Sequence, residues 1–99
     1  MSLNPTKLVV LICEEAMESS VAPDLMAAGA KGYTVCEARG RGARGVRDAR
    51  WQSSNVRIEI LCQEDVAQRL VDMLLARYSD NFGLVVYVQD AQTIRSNKF

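Results

Sequence analysis

One segment of the chain, residues 39–50, combines arginines and glycines at close spacing. It holds five arginines and one aspartate, a net charge of +4, whereas the seven basic and eleven acidic residues elsewhere give −4. Glycine lets backbone N–H groups approach an anion, and the planar arginine fork adds charge-assisted, bidentate hydrogen bonds. We therefore expect this loop to bind a compact anion such as a phosphate or a carboxylate. The residues behind this expectation are Gly40, Arg41, Gly42, Arg44, Gly45 and Arg47.

The residues of this loop alone leave three interpretations open. The glycine spacing fits neither G-x-x-x-x-G-K-[ST] nor G-x-G-x-x-G, so the loop is an unassigned anion site, a solvated basic loop, or an RNA- or polyanion-binding segment. The order of elements given below also occurs in RNA-recognition domains. However, residues 55–62 contain no aromatic side chain where those domains carry their stacking platform, which disfavours RNA.

Catalytic side chains are scarce in this sequence. The chain has no histidine, the side chain that most often serves as a general base near neutral pH. Cys13, Cys36 and Cys62 are widely spaced in apolar sequence, so we expect reduced thiols in a core rather than a zinc site. The sequence therefore predicts a protein that is not an enzyme and binds no metal.

Length and composition are typical of one compact domain. The chain has 99 residues, of which 48% are apolar and 24% charged, and we expect a single domain over residues 1–99. No apolar run approaches the roughly 18 residues that cross a bilayer, and the first residues lack a secretory apolar core. The expectation is a cytoplasmic protein with no membrane segment.

Apolar periodicity divides the chain into four strands and two helices. Residues 55–62 alternate apolar and polar side chains, whereas residues 64–78 repeat apolar positions at helical spacing. Pro23 indicates that the first helix starts late or is kinked. The order βαββαβ predicts an α+β, ferredoxin-like antiparallel sheet with both helices on one face. The predicted strands are 7–13, 33–37, 55–62 and 84–89, and the predicted helices are 14–30 and 64–78.

The first and last predicted strands carry apolar side chains on both faces. In the first strand, Leu8, Val10 and Ile12 alternate with Val9 and Leu11, and the last strand follows the same pattern. Two helices cover only one face of such a sheet, so another subunit is the simplest cover for the other face. The sequence therefore predicts an oligomer.

Several segments together resemble PII signalling proteins. They are GAKGYTV at residues 29–35, the glycine-arginine loop, VRIEIL, and a final strand followed by Ile94 and Arg95, so that the likeness runs from about residue 7 to residue 95. The likeness is closest to the carboxysome-associated and bicarbonate-transporter-associated PII-like branch. It implies a homotrimer with nucleotide sites in the clefts between subunits, and it makes residues 38–54 the long T-loop between the second and third strands.

The resemblance also implies which residues form the site. Backbone and side-chain contacts to the nucleotide come from both ends of the T-loop region, from the third strand, from the B-loop at residues 79–83 and from the C-terminal segment. The nucleotide-binding residues implied in this way are Gly32, Thr34, Gly40, Gly42, Arg44, Arg47, Glu59, Leu61, Gly83 and Arg95. The arginines implied for bicarbonate or phosphate are Arg41, Arg44 and Arg47.

Two departures from the family pattern bear on the size of the ligand. Leu84 stands where a phosphate-binding lysine is usual, and Asn97 replaces a second C-terminal arginine. With two cations fewer near the outer phosphates, ADP or AMP is favoured over ATP. Trp51 is interpreted equally well as an anchor for a protein target or as a packing residue.

The expected function is accordingly a regulatory sensor of inorganic-carbon metabolism. It binds ADP or AMP, together with bicarbonate, and signals through its T-loop to a target such as a bicarbonate transporter or a carboxysome component. The alternative is an RNA- or polyanion-binding module that uses the same arginines. A metal-tolerance or isomerase-like trimer on the same fold has no motif in this sequence.

Overall fold

The computed structural model describes residues 2–41, 54–81 and 83–99 of the chain. Short 3₁₀ turns follow the first and last strands, at Glu15–Met17 and Ser96–Lys98. The order βαββαβ is confirmed. The strands are β1 (Asn4–Glu14), β2 (Thr34–Ala38), β3 (Asn55–Cys62) and β4 (Val85–Thr93), and the helices are α1 (Glu18–Ala27) and α2 (Glu64–Tyr78).

The four strands form one antiparallel sheet in the order β2-β3-β1-β4. In this register Leu11 of β1 lies opposite Ile58 of β3 and Val86 of β4. Because β1 is central and paired on both sides, its apolar side chains are needed on both faces. The strand order and the packing of both helices on one face confirm the predicted ferredoxin-like α+β fold.

The core lies between the sheet and the two helices. Leu25 of α1 and Leu70 of α2 are fully buried against the face of the sheet that carries Leu11 and Ile58. Burial of each such aliphatic side chain contributes about 1.5–3 kcal/mol relative to exposure. The remaining sheet and helix members of this cluster include Val9, Cys13, Val21, Val56, Ile60, Cys62 and Leu74.

A Schellman motif ends α1 and sets the path of the chain into β2. The Ala30 N–H donates to the Leu25 carbonyl at 3.1 Å, and the Gly29 N–H donates to the Met26 carbonyl at 3.1 Å. Gly29 takes a φ of +117°, a region that side chains with a Cβ rarely adopt. The turn buries Ala30 beside Leu25 in the core and directs the chain towards Thr34.

A polar contact joins the two helices at one end of the molecule. The Tyr78 hydroxyl donates to Asp24 Oδ2 at 2.6 Å, and Arg77 Nη1 donates to Asp24 Oδ1 at 2.9 Å. Burial, followed by the hydrogen bond to Asp24, raises the pKa of Tyr78 to about 12. The phenol therefore stays protonated and holds the carboxylate at neutral pH.

The elements differ from the sequence-based expectation mainly at their ends. The first helix spans Glu18–Ala27 rather than residues 14–30, and Pro23 lies inside it, five residues after its start, so Pro23 does not set where the helix begins. β1 and β4 continue past the end of β3, as a two-stranded ribbon in which Asn4 lies opposite Thr93. The hydroxyl of the buried Thr6 and that of the partly buried Thr93 share a 2.7 Å hydrogen bond there, so this polar sequence forms strand without an apolar pattern.

Cys36 corrects one expectation about the thiols. Cys13 and Cys62 are buried in the core as predicted, but Cys36 is exposed in the single chain. It lies opposite Arg57 in the short edge strand β2, on the face of the sheet that the helices do not cover. The apolar residues around it in the sequence therefore do not place it in the core.

Candidate functional site

The loop of residues 39–54 begins and ends at one side of the sheet, where β2 ends and β3 begins. Ala38, the last residue of β2, lies opposite Asn55, the first residue of β3, and Asn55 lies opposite Glu14 at the end of β1. The Glu15 N–H donates to the Ser54 carbonyl at 2.7 Å, which fixes the returning chain at the start of the 3₁₀ turn. We call this edge, with its strand ends Ala38, Asn55, Glu14 and Val85, the loop edge.

Three of the predicted site residues lie near the loop edge. Gly40 and Arg41 follow β2 there and are exposed. Gly83 lies in the turn that leads into β4, whose first residue pairs with Ile12 of β1, and the Gly83 N–H donates to Asn81 Oδ1 at 3.1 Å. The segment that follows β2 and the turn before β4 are therefore at the same side of the sheet.

Three further predicted residues share the face of the sheet on which α1 and α2 do not pack. Thr34 of β2 lies directly opposite Glu59 of β3, and Leu61 follows two positions later on the same face. Gly32 precedes β2 with open space where a Cβ would stand. We call this side the open face; besides Thr34 and Cys36 of β2, its members include Leu8, Val10, Ile12, Arg57, Glu59, Leu61, Val85 and Tyr87.

Arg95 is remote from the residues at the loop edge. β4 is nine residues long; it starts at the loop edge with Val85 and ends at Thr93, two residues before Arg95. At the usual rise per strand residue, Gly83 and Arg95 are separated by about 30 Å. The single chain thus brings Thr34, Glu59 and Leu61 together, and Gly40, Arg41 and Gly83 together, but does not join Arg95 to the loop edge.

Gly42, Arg44 and Arg47, and with them Trp51, lie outside the described residues. Their assignment stays a prediction. The strand ends on either side of them are in register, so the described chain enters and leaves this segment at the loop edge.

A polar cluster on the open face was not identified from the sequence. Arg57 Nε donates to Glu59 Oε2 at 2.8 Å, and Arg57 Nη1 donates to the Tyr87 hydroxyl at 2.9 Å. The guanidinium carbon lies 6.0 Å from the centroid of the Tyr87 ring. The hydrogen bond to Glu59 is the main cause that raises the pKa of Arg57.

This cluster crosses the central strand. Val10 lies between Glu59 and Tyr87 in the register and is 0% exposed, although α1 and α2 lie on the other face of the sheet. The sequence carried a signal for two of the three members of the cluster, because residues two apart in a strand share a face, as Arg57 and Glu59 do. Tyr87 could be recognised as the third member of the cluster only once the pairing of β1 with β4 was known.

The chemistry that the described residues offer is hydrogen bonding and charge pairing. Burial raises the pKa of the Cys13 and Cys62 thiols, so both are protonated and poor nucleophiles at neutral pH. Across residues 2–41, 54–81 and 83–99, no group of three Cys, Asp or Glu side chains is placed to hold a metal ion. In the same ranges, no helix has both the length and the apolar character to cross a membrane.

Solved structures with this fold include proteins of known ligand content. A PII-like signalling protein from Thermus thermophilus is 35% identical, with a TM-score of 0.85 over 100% of this chain and 99% of that one. CPII from Thiomonas intermedia, bound to ADP and bicarbonate, is 27% identical, with a TM-score of 0.86 over 99% and 97%. The same protein bound to ADP, AMP and acetate is 26% identical, with a TM-score of 0.86 over 100% and 98%.

Family membership follows from the length of the match. The family model of nitrogen regulatory protein P-II matches residues 6–98, which includes every strand residue of the sheet except Asn4 and Pro5. The Thermus protein also exceeds 30% identity over the full length of this chain. The chain therefore belongs to the nitrogen regulatory protein P-II family.

Proposed function

We propose that this protein is a PII-like sensor of inorganic-carbon metabolism, in the carboxysome- and bicarbonate-transporter-associated branch, that binds ADP or AMP together with bicarbonate. The observation that carries the proposal is the likeness to CPII, which shares this fold over nearly its whole length and was solved with ADP, AMP and bicarbonate. In this proposal the chain is a single cytoplasmic domain and acts by binding, not by catalysis.

The proposed assembly is a homotrimer with the nucleotide in clefts between subunits. Two features support it. The open face presents apolar side chains, among them Leu8, Ile12 and Val85, that neither α1 nor α2 covers. In addition, Arg95 lies about 30 Å from Gly83 within one chain, so a site that uses both must draw them from different copies.

Leu84 and Asn97 support a ligand smaller than ATP. Leu84 is half-buried and packs against the core, so its position offers no cation to an outer phosphate. Asn97 is exposed and uncharged. ADP or AMP therefore matches the cations that remain better than ATP does.

The proposed signal is a change in the order of the T-loop. In this proposal Gly40 and Gly42 offer backbone contacts, Arg41, Arg44 and Arg47 bind phosphate or bicarbonate, and the T-loop then presents a surface to a bicarbonate transporter or a carboxysome component. Fixing glycine-rich backbone costs about 1–2 kcal/mol per residue, so contacts with an anion are needed to offset the loss.

Calorimetric titration tests this function directly. We expect AMP and ADP to bind more tightly than ATP, and bicarbonate to alter the affinity for ADP. Arg44→Ala and Arg47→Ala should each weaken ADP binding by about tenfold or more, since a hydrogen bond to a charged group contributes about 1.5–3 kcal/mol. Arg77→Ala, on the helix side of the molecule, is the matched control and should leave the affinity unchanged.

Two results would contradict the proposal. One is the absence of binding by any adenine nucleotide at millimolar concentration. The other is binding to RNA or to polyphosphate that falls steeply with salt and ignores the base, which is the behaviour of a polyanion-binding module.

A further inference from the structure

The cluster of Arg57, Glu59 and Tyr87 contains one residue implied in nucleotide binding and two that are not. We propose that Arg57 is a positioning residue: it fixes the Glu59 carboxylate so that this group can accept a hydrogen bond from the nucleoside part of the ligand, and Tyr87 anchors Arg57. This inference rests on the proposed function, because it assumes that the ligand of the open face is a nucleotide.

The Glu59 carboxylate needs a hydrogen-bond partner to hold it in one orientation if it is to accept a hydrogen bond from a ligand. Its side chain has several rotatable bonds and is 39% exposed, so on its own it samples many rotamers. Arg57 Nε holds Oε2 at 2.8 Å. Among the described residues Oε1 accepts no hydrogen bond, so the oxygen that Arg57 leaves open remains available to a ligand N–H or O–H group. A group held before binding loses less freedom when the ligand arrives.

Arg57 is itself held at two points. It reaches Glu59 on its own strand and the Tyr87 hydroxyl on β4, so the guanidinium bridges across β1 above the fully buried Val10. The planar fork of arginine can make both contacts at once, whereas the ammonium of a lysine is a single point charge. Tyr87 adds its ring at 6.0 Å from the guanidinium carbon.

The pairing also removes an electrostatic obstacle. A lone carboxylate on the open face would repel the phosphates of a nucleotide, and the adjacent guanidinium cancels that charge. Thr34 lies directly opposite Glu59, so the neutralised carboxylate and a hydroxyl stand side by side as acceptor and donor. This combination suits a nucleoside, which presents amine and hydroxyl groups, better than it suits a free phosphate.

Calorimetric affinities for AMP and ADP test the inference. The affinity for adenosine is measured in the same way, by its competition with AMP. Arg57→Met should weaken AMP and ADP by about tenfold or more and should weaken adenosine as well, since it frees the Glu59 acceptor rather than removing a phosphate contact. The loss for ADP should be somewhat larger than that for AMP, because the unpaired carboxylate also repels phosphates. Arg57→Lys and Tyr87→Phe should each lose less, about threefold, because each keeps one of the two anchoring contacts. In a Glu59→Met background, which has no side-chain acceptor at this position, Arg57→Met should cost less than about twofold, since a residue that acts through Glu59 then has nothing left to position.

Controls separate positioning from a structural role. Arg77→Met makes the same chemical change on the helix side and should bind like the wild type. The mass of each variant by light scattering shows whether assembly is altered. If Arg57→Met does not fold, Arg57→Lys and Tyr87→Phe decide the question, and wild-type affinity in both overturns the inference.

Four other results overturn the inference. They are wild-type affinity in Arg57→Met, a loss confined to ADP and absent for adenosine, a loss that persists in the Glu59→Met background, and a changed assembly whose remaining oligomer binds normally. The second of these would make Arg57 a direct phosphate ligand. A wild-type protein that binds no adenine nucleotide overturns the proposed function, and the inference falls with it.

Discussion

Arg57 and Glu59 stand two residues apart in β3, and their pairing shows how far single residues can be interpreted from the sequence. The alternation of residues 55–62 placed both on the less apolar face of a strand, and the structure confirms the strand with the same bounds. The pattern could not show that the guanidinium turns back to its own strand and also reaches Tyr87. Side-chain partners depend on neighbours that only strand pairing supplies.

Tyr78 allows a prediction about pH at the residue scale. Its pKa is raised from 10 to about 12, so its contribution to stability is complete below pH 10 and is lost as the pH rises through 12. The contribution is at most about 3 kcal/mol, since each pKa unit corresponds to 1.36 kcal/mol. Chemical denaturation of the wild type and of Tyr78→Phe at pH 8 to 12 should show a stability difference that shrinks with rising pH. A constant difference would contradict the assignment.

At the scale of elements, the bounds predicted from the sequence differ from those in the structure mainly at the ends of helices and strands. Both bounds of β3 and of α2 agree with prediction because each has an uninterrupted apolar period. β1 extends three residues and β4 four residues beyond the predicted ends, as Asn4 and Thr93 are held by each other's strand rather than by apolar burial. Pairing between strands can therefore recruit polar sequence that no periodicity marks.

Gly29 allows a prediction at this scale. Its φ of +117° strains any residue with a Cβ, and that Cβ would stand 3.1 Å from Arg69 Nη2. Gly29→Ala should lower the free energy of unfolding by about 1–3 kcal/mol, the usual cost of a disfavoured backbone conformation. Gly32→Ala is the matched control, since nothing lies within 4 Å of its Cβ position and its φ is not in that region. Equal stability of the two variants in urea denaturation would argue against a capping role.

At the scale of the whole molecule, the open face is the surface that we expect another subunit to cover. Its apolar side chains surround the polar cluster, and β1 is apolar on both faces although helices cover only one. A second copy of the chain would bury these side chains and bring together site residues that lie at opposite ends of β4.

The variant Ile12→Asp tests whether the open face is an interface between subunits. It places a charge among the apolar residues of the open face, next to Val85, and should shift the protein from an oligomer to a smaller species in light scattering. Leu75→Asp is the control, because Leu75 is 63% exposed on α2 and away from that face. An unchanged mass in Ile12→Asp, or an equal loss in Leu75→Asp, would count against the open face as the subunit interface.

The sequence by itself determined the element order, the ferredoxin-like sheet with its two helices, and the resemblance to PII proteins, because apolar periods and short motifs are local properties. Only the tertiary structure decided the exposure of Cys36, the length of the β1–β4 ribbon and the Arg57–Glu59–Tyr87 cluster, since each depends on which strands become neighbours. It also separated the predicted site into two parts within one chain, since antiparallel pairing carries Arg95 to the end of β4 opposite Gly83.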